Sequence, residues 1–251
     1  MGEVISILMQ KGGCSKTTSV YNLAPALGEL GKKVLAVDFD PQATLTNGFG
    51  NAGSSTIYDV MTGKTSISSA IVQIEAVPNV WLLPSHINAA ALEVELAGVI
   101  GREKVLAESL APIKDRFDFI LIDSPPSLGL LTVNSLVAAD SIIIPCQTEY
   151  WGGLEAMPKL MHTIETVKTR LGKTVNLRGV LLTMVDQRRR LDSEVIAQVK
   201  KHFSGHVFKT MIPRSVKLAE APSFLKPITI YAPHSAGCEA YRQLAREVVG
   251  K

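Results

Sequence analysis

The chain has 251 residues, 46% of them hydrophobic and 20% charged, with a formal net charge of +3. That length and apolar content make one large, soluble α/β domain spanning residues 1 to 251 the expectation rather than two small ones, and no apolar run approaches the ~18 residues of a membrane span. So small a positive charge permits contact with nucleic acid or an anionic membrane but is equally ordinary for a metabolic enzyme.

Taken in chain order, apolar runs of strand length fall at Val4-Met9, Val34-Val37, Val80-Leu83, Phe119-Ile122, Ile142-Pro145, Gly179-Met184 and Val207-Met211. Longer helical patterns lie between them. Strands that are apolar throughout, alternating with helices, predict a doubly wound, mostly parallel sheet covered by helices on both faces. The chain opens on its first strand, without a charged-then-apolar leader. Between Gly48 and Pro78 the sequence is richer in Gly, Ser and Thr and reads as a surface excursion with a short helix. Cys14, Cys146 and Cys238 are too scattered for a disulfide framework or a metal pattern, which points to a reducing cytoplasm.

After the first strand comes KGGCSKTT, residues 11 to 18, with a helix expected from Lys16 and its stop near Gly31. A strand, a glycine turn and a helix start aim backbone N–H groups and the positive end of the helix dipole at one point, and phosphate is the natural occupant. Lys16 would bring charge to the β- and γ-phosphates, and the Thr17 hydroxyl would join a Mg²⁺ shell. The pattern G-x-x-x-x-G-K-[ST] is nonetheless broken twice, by Gln10 and Ser15. Downstream, VDFDPQ places Asp38 and Asp40 at one strand end and LIDSPPSLG places Asp123 at another. Strand ends are where ligands bind in such sheets, so the carboxylates suit a Mg²⁺ site and a water-positioning group, although an isolated strand-end Asp is as often a helix cap.

With TMIPRSVKLAEAPSFLKPI (210 to 228), these segments resemble the ParA/Soj family of DNA-partition ATPases, within the wider ParA/MinD group, over nearly the whole chain and in family order. The resemblance implies a P-loop fold, ATP and Mg²⁺ as cofactors, and a nucleotide-sandwich homodimer. It implies that Lys11 crosses to phosphate in the partner's site, with Lys16, Thr17 and Thr18 on phosphate and metal. Gly12, Gly13, Cys14 and Ser15 complete the loop. Asp40 positions the attacking water, Asp123 holds Mg²⁺ through water, and Pro213 lies by the adenine. Lys11 has little local structure to hold it, and an anionic target accounts for its ammonium better than solvent. Ser15 departs from the family's K-G-G-x-G-K, where glycine spares the loop a Cβ. TEYWGGLEAM (148 to 157) carries an extra glycine.

Arg188, Arg189 and Arg190 fall at a strand-to-helix connection, and Lys217 follows the I-P-R segment. Arg188 and Lys217 match positions where Soj-like proteins contact DNA, and Lys200 and Lys201 add charge. Such contacts would be to phosphates, sequence-independent and salt-sensitive. With the first strand at Val4, no helix-turn-helix precedes it, so the expectation is a nucleoid-associated cytoplasmic ATPase that binds DNA non-specifically, with a ParB-like adaptor or cargo protein stimulating hydrolysis. Alternatives share the phosphate motifs. A MinD-like membrane ATPase needs a C-terminal amphipathic helix, whereas Tyr241, Leu244 and Val248 read as core; a metabolic P-loop ligase would need neither Lys11 nor the arginines; an iron-protein role needs bridging cysteines.

Overall fold

The computed structural model describes residues 2–50, 53–149 and 156–250. One sheet contains β1 (Glu3–Ile7), β2 (Val34–Asp38), β3 (Val72–Gln73), β4 (Val80–Leu83), β5 (Phe119–Asp123), β6 (Ser141–Gln147) and β7 (Asn176–Thr183). Their order is β3-β4-β2-β5-β1-β6-β7, and every pairing is parallel except β3 with β4. β1 therefore sits centrally, between β5 and β6, and the carboxyl ends of β1, β2 and β5 open on one crevice. The helices around the sheet include α1 (Lys16–Glu29), α2 (Thr44–Phe49), α3 (Leu130–Ala138), α4 (Met157–Leu171), α5 (Arg190–His202) and α6 (Ala236–Gly250).

The strands are buried on both faces, as their unbroken apolar runs require. On one face Tyr21, Leu23 and Leu27 of α1 meet Tyr241, Leu244 and Val248 of α6. Those last residues are wholly buried, so the apolar stripe of α6 is core. Each such leucine stabilises the fold by about 1.5–3 kcal/mol on burial. Leu106, Leu110 and Leu131 cover the other face beside β2 and β5, and Leu136, Leu160 and Val195 cover β6 and β7. α1 stops where expected: Gly31 takes a positive φ of 76°, and the N–H groups of Gly31 and Lys32 close on the Gly28 and Leu27 carbonyls.

Two sequence expectations need correction. Val207-Met211 is not a strand, although Val207 and Pro213 make isolated parallel bridges to Val180 and Val185. Phe208 and Ile212 do bond β7, but between them the N–H groups of Lys209 and Thr210 turn to the Glu247 carboxylate on α6, at 2.9 and 3.1 Å, which draws the chain off the sheet edge. The excursion after Gly48 holds more than one short helix: helices Ile57–Met61 and Ile67–Ala70 and then β3. A two-residue strand is shorter than any periodicity can reveal.

Candidate functional site

The loop between β1 and α1 turns through two left-handed residues, Gly13 (φ 73°) and Ser15 (φ 69°, ψ 23°). The second explains why glycine is usual at that position: a Cβ there costs about 1–2 kcal/mol. Ser15 nevertheless holds the turn, its carbonyl accepting from the Ser19 N–H at 2.9 Å. No acidic side chain occupies the first turn of α1 and the Ser15 hydroxyl does not cap it, so the positive end of the helix faces the crevice. Lys16 is buried, with its ammonium folded back onto the Lys11 carbonyl at 3.2 Å and the Cys14 sulfur at 3.9 Å. From β6, the Gln147 side-chain amide donates to the Gly13 carbonyl and reaches the Met184 sulfur at 3.4 Å, bracing the loop from beneath.

Three carboxylates lie at or just past the strand ends beside this cradle, in different states. Asp38 ends β2 wholly buried, accepting from the Thr46 N–H (2.8 Å) and hydroxyl (2.7 Å), so it anchors α2 as a cap rather than facing a ligand. Burial pushes its pKa up to about 6, against the pull of the Thr46 bonds. Asp40, half-buried, accepts from the Gln42 N–H at 2.9 Å and lines the cavity in front of the loop. Asp123, beside Asp38 in the strand register, is buried; neither carboxylate oxygen makes a hydrogen bond of full geometry, and only the Thr17 hydroxyl and the Lys16 ammonium act on it from nearby as counterweights to burial. Burial first, then the neighbouring Asp38, raise its pKa well above the carboxylate range, while Thr17 and Lys16 oppose the shift. Two orphaned acceptor oxygens behind a threonine hydroxyl and a lysine fit a hydrated divalent cation. The strand end bearing Asp123 is fixed by a ring of buried hydroxyls, with Ser6 to Ser124 at 2.9 Å, Ser6 to Ser135 at 2.5 Å and Ser124 to Ser135 at 2.6 Å, which ties β5 to β1 and α3.

Residues 12 to 18 and Asp40 line a cavity of about 340 Å³. A second cavity of about 350 Å³ adjoins it, sharing Ser15, Thr18 and Met184, and its walls include Ile212, Pro213 and Tyr241. The first takes in the glycine turn, the start of α1 and Asp40, and the second is the more apolar of the two, a pairing that suits the phosphates and the base of one nucleotide. Sequence reasoning singled out Pro213 but missed Gln147, Glu149 and Met184, though the rule that strand ends carry ligands applies to all of them.

Beyond the second cavity the basic residues form a rim. The Arg214 N–H bonds the Val185 carbonyl at 3.1 Å, which sets the segment bearing Lys217 beside the loop bearing Arg188. Buried Asp192 shapes that loop, accepting from the Thr148 hydroxyl at 2.6 Å and the Asp186 N–H at 2.8 Å. Every basic side chain of the rim has a local acid. Arg188 makes two 2.8 Å bonds to Asp186, which hold the Asp186 pKa down to about 2. Arg190 pairs with Glu194 at 2.9 Å and Lys217 with Glu220 at 3.2 Å. Arg189 lies 3.8 Å from both Glu149 and Asp192, and Arg214 lies 2.7 Å from Glu149. Lys200 and Lys201 sit at the far end of α5, roughly 15 Å from Arg190 by helical rise, outside this cluster. Of the segment with the extra glycine, residues 150–155, including both glycines, lie outside the described residues.

A central parallel strand feeding a phosphate-shaped loop, with an acid ending the neighbouring strand, defines a P-loop ATPase. Residues 2–177 match the family model described as AAA domain. The chain is 44% identical to sporulation initiation inhibitor protein Soj of Bacillus subtilis (strain 168) over 99% of its length and 98% of that protein. It is also 44% identical to chromosome-partitioning ATPase Soj of Treponema pallidum (strain Nichols), over 100% and 98%. Among solved structures it resembles cobyrinic acid a,c-diamide synthase from Mycobacterium smegmatis with bound ATP analog and magnesium, at TM-score 0.88 and 32% identity, covering 99% of this chain and 94% of that one. The chain belongs to the ParA/Soj family of partition ATPases. Among the described residues no helix is long and apolar enough to cross a membrane.

Proposed function

We propose that this chain is a single-domain switch that binds ATP with Mg²⁺, dimerises around it, attaches without sequence preference to the DNA of the nucleoid and positions a cargo, with a ParB-like partner stimulating hydrolysis. The observation that carries the reading is Asp123, a buried carboxylate whose oxygens make no hydrogen bond of full geometry and on which the Thr17 hydroxyl and Lys16 ammonium act. In it, Gly12, Gly13, Cys14 and Ser15 present backbone N–H groups to the phosphates, and Lys16 leaves the Lys11 carbonyl for the β- and γ-phosphates. The Thr17 hydroxyl ligates the metal, Asp123 holds its water shell, and Thr18 adds a phosphate contact. Bound there, Mg²⁺ would neutralise charge building between the β- and γ-phosphates. Asp40, at the cavity edge, orients the attacking water and borders the metal shell. The base rests against Pro213.

Lys11 reaches the phosphates of a second copy, so that ATP favours the dimer because only that state shares the γ-phosphate charge between subunits. Hydrolysis then releases it. Arg188, Arg189, Arg190 and Lys217 face DNA phosphates from the rim, exchanging their acids for them. The amide-forming chemistry of the synthase finds no separate support in the residues of this site.

The test is sedimentation velocity of the parent chain, Lys11→Ala and Arg188→Glu, with and without ATP–Mg²⁺ and a random-sequence duplex, at two salt concentrations. The parent should dimerise with ATP, join DNA and leave it as salt rises; Lys11→Ala should stay monomeric; Arg188→Glu should dimerise but bind DNA weakly. A parent chain that stays monomeric with ATP–Mg²⁺ and off DNA refutes the reading.

A further inference from the structure

We propose that Glu149 is a latch between the base cavity and the basic rim, an inference that rests on the function proposed above. Glu149 lies just past the carboxyl end of β6 and lines the 350 Å³ cavity together with Ser15, Thr18 and Pro213. The same carboxylate oxygen, Oε1, meets the Arg214 guanidinium at 2.7 Å and that of Arg189 at 3.8 Å. Its side chain is 21% exposed, against 64% for Arg214 and 41% for Arg189. One largely covered acid therefore faces the nucleotide cavity on one side and holds two solvent-facing arginines on the other, where the Asp186 loop and the Pro213 segment meet.

A nucleotide brings donors to that wall, its ribose hydroxyls and, for adenine, an exocyclic amine, while an ionised Glu can only accept. The geometry sets up an exchange. With the cavity empty, Glu149 neutralises Arg214 and Arg189 and lowers the pull of the rim on DNA phosphates. With nucleotide present, Glu149 turns to the ligand's donors, Arg214 is released to phosphate, and Arg189 keeps only its 3.8 Å approach to Asp192. Half-exposed ion pairs are weak and cheap to exchange, which suits this use. By linkage, DNA that takes the arginines must tighten nucleotide binding by the same factor.

The test is fluorescence anisotropy of a random-sequence duplex with the parent chain, Glu149→Gln, Glu194→Gln and Arg214→Gln, each without nucleotide and with a non-hydrolysable ATP analogue and Mg²⁺. Glu149→Gln should raise nucleotide-free DNA affinity about fivefold or more, the lower end of ordinary allosteric coupling, and leave the nucleotide-bound affinity nearly unchanged. Glu194→Gln removes the same charge from the rim away from the cavity and should raise both affinities alike, keeping their ratio. Arg214→Gln should weaken DNA binding in the nucleotide-bound state. If Glu149→Gln preserves the parental ratio, or Arg214→Gln binds as the parent does, the latch is refuted while the proposed function stands. A parent chain that binds DNA in neither state refutes both.

Discussion

The phosphate cradle and the basic rim lie side by side but hold their charges in opposite ways. In the cradle, Asp123 is buried without a hydrogen bond of full geometry and Lys16 rests on a carbonyl and a thiol. On the rim, Arg188 and Arg190 are 89% and 94% exposed, and each has an acid within 2.9 Å. Buried polar groups that are incompletely satisfied cost free energy that a ligand of matching charge repays. Exposed, paired charge gains little from a new anion, because it must first give up an old one. The cradle is therefore poised for one specific, highly charged ligand, and the rim for weak, exchangeable, salt-sensitive contacts.

The largest effect that would break this contrast is at Lys16. Lys16→Ala removes the buried ammonium and should cost about 2–3 kcal/mol of nucleotide affinity, roughly 30- to 150-fold, by calorimetric titration. A loss of threefold or less would mean that the cradle is no better set for its ligand than the rim.

The two buried acids sharpen the same point through pH. Burial raises the pKa of Asp38 to about 6 and that of Asp123 well above the usual range. A carboxyl whose folded pKa exceeds its unfolded value binds more protons when folded, so its contribution to stability is present below about pH 4 and lost as pH rises through the folded pKa. The ligand-free protein should thus lose stability from these groups between about pH 4 and pH 6, and beyond for Asp123. Asp38→Asn keeps an acceptor for Thr46 and should remove about 1–3 kcal/mol of that fall in urea unfolding at pH 4.5 and 7. An unchanged fall would show that burial of Asp38 is compensated by other groups.

The smallest effect concerns the loop itself. Ser15→Gly relieves a left-handed Cβ but loosens the unfolded chain, so the net gain should be about 0.5–1 kcal/mol, a rise of roughly 1–4 °C in Tm. A fall in Tm would mean that the serine side chain contributes more than its backbone costs.

The cradle was legible in the sequence because it is local: strand, glycine turn, Lys16 and Thr17 stand within a few residues, and the acids sit where apolar runs end. Most strands were legible for the same reason, since burial on both faces writes itself as unbroken apolarity. What escaped depends on partners far away in the chain. Val207-Met211 has a strand's composition, yet two of its N–H groups go to Glu247 on the last helix. Gln147 becomes a loop brace only because β6 lies next to β1, and Glu149 and Arg214 meet only because Pro213 bridges to Val185, just past the end of β7. Asp38 and Asp40 look alike in VDFDPQ, and only Thr46, folded back on α2, separates the cap from the cavity-facing acid.

Calorimetric titration of ATP into the parent chain and Asp123→Asn, each with Mg²⁺ and with a chelator, tests the cradle most directly. If the orphaned carboxylate is the metal's protein partner, Mg²⁺ should tighten ATP binding in the parent, and Asp123→Asn should lose that gain while binding metal-free ATP at least as well. If Asp123→Asn keeps the full Mg²⁺ effect, the buried carboxylate has some other purpose, and the account of this cradle is wrong.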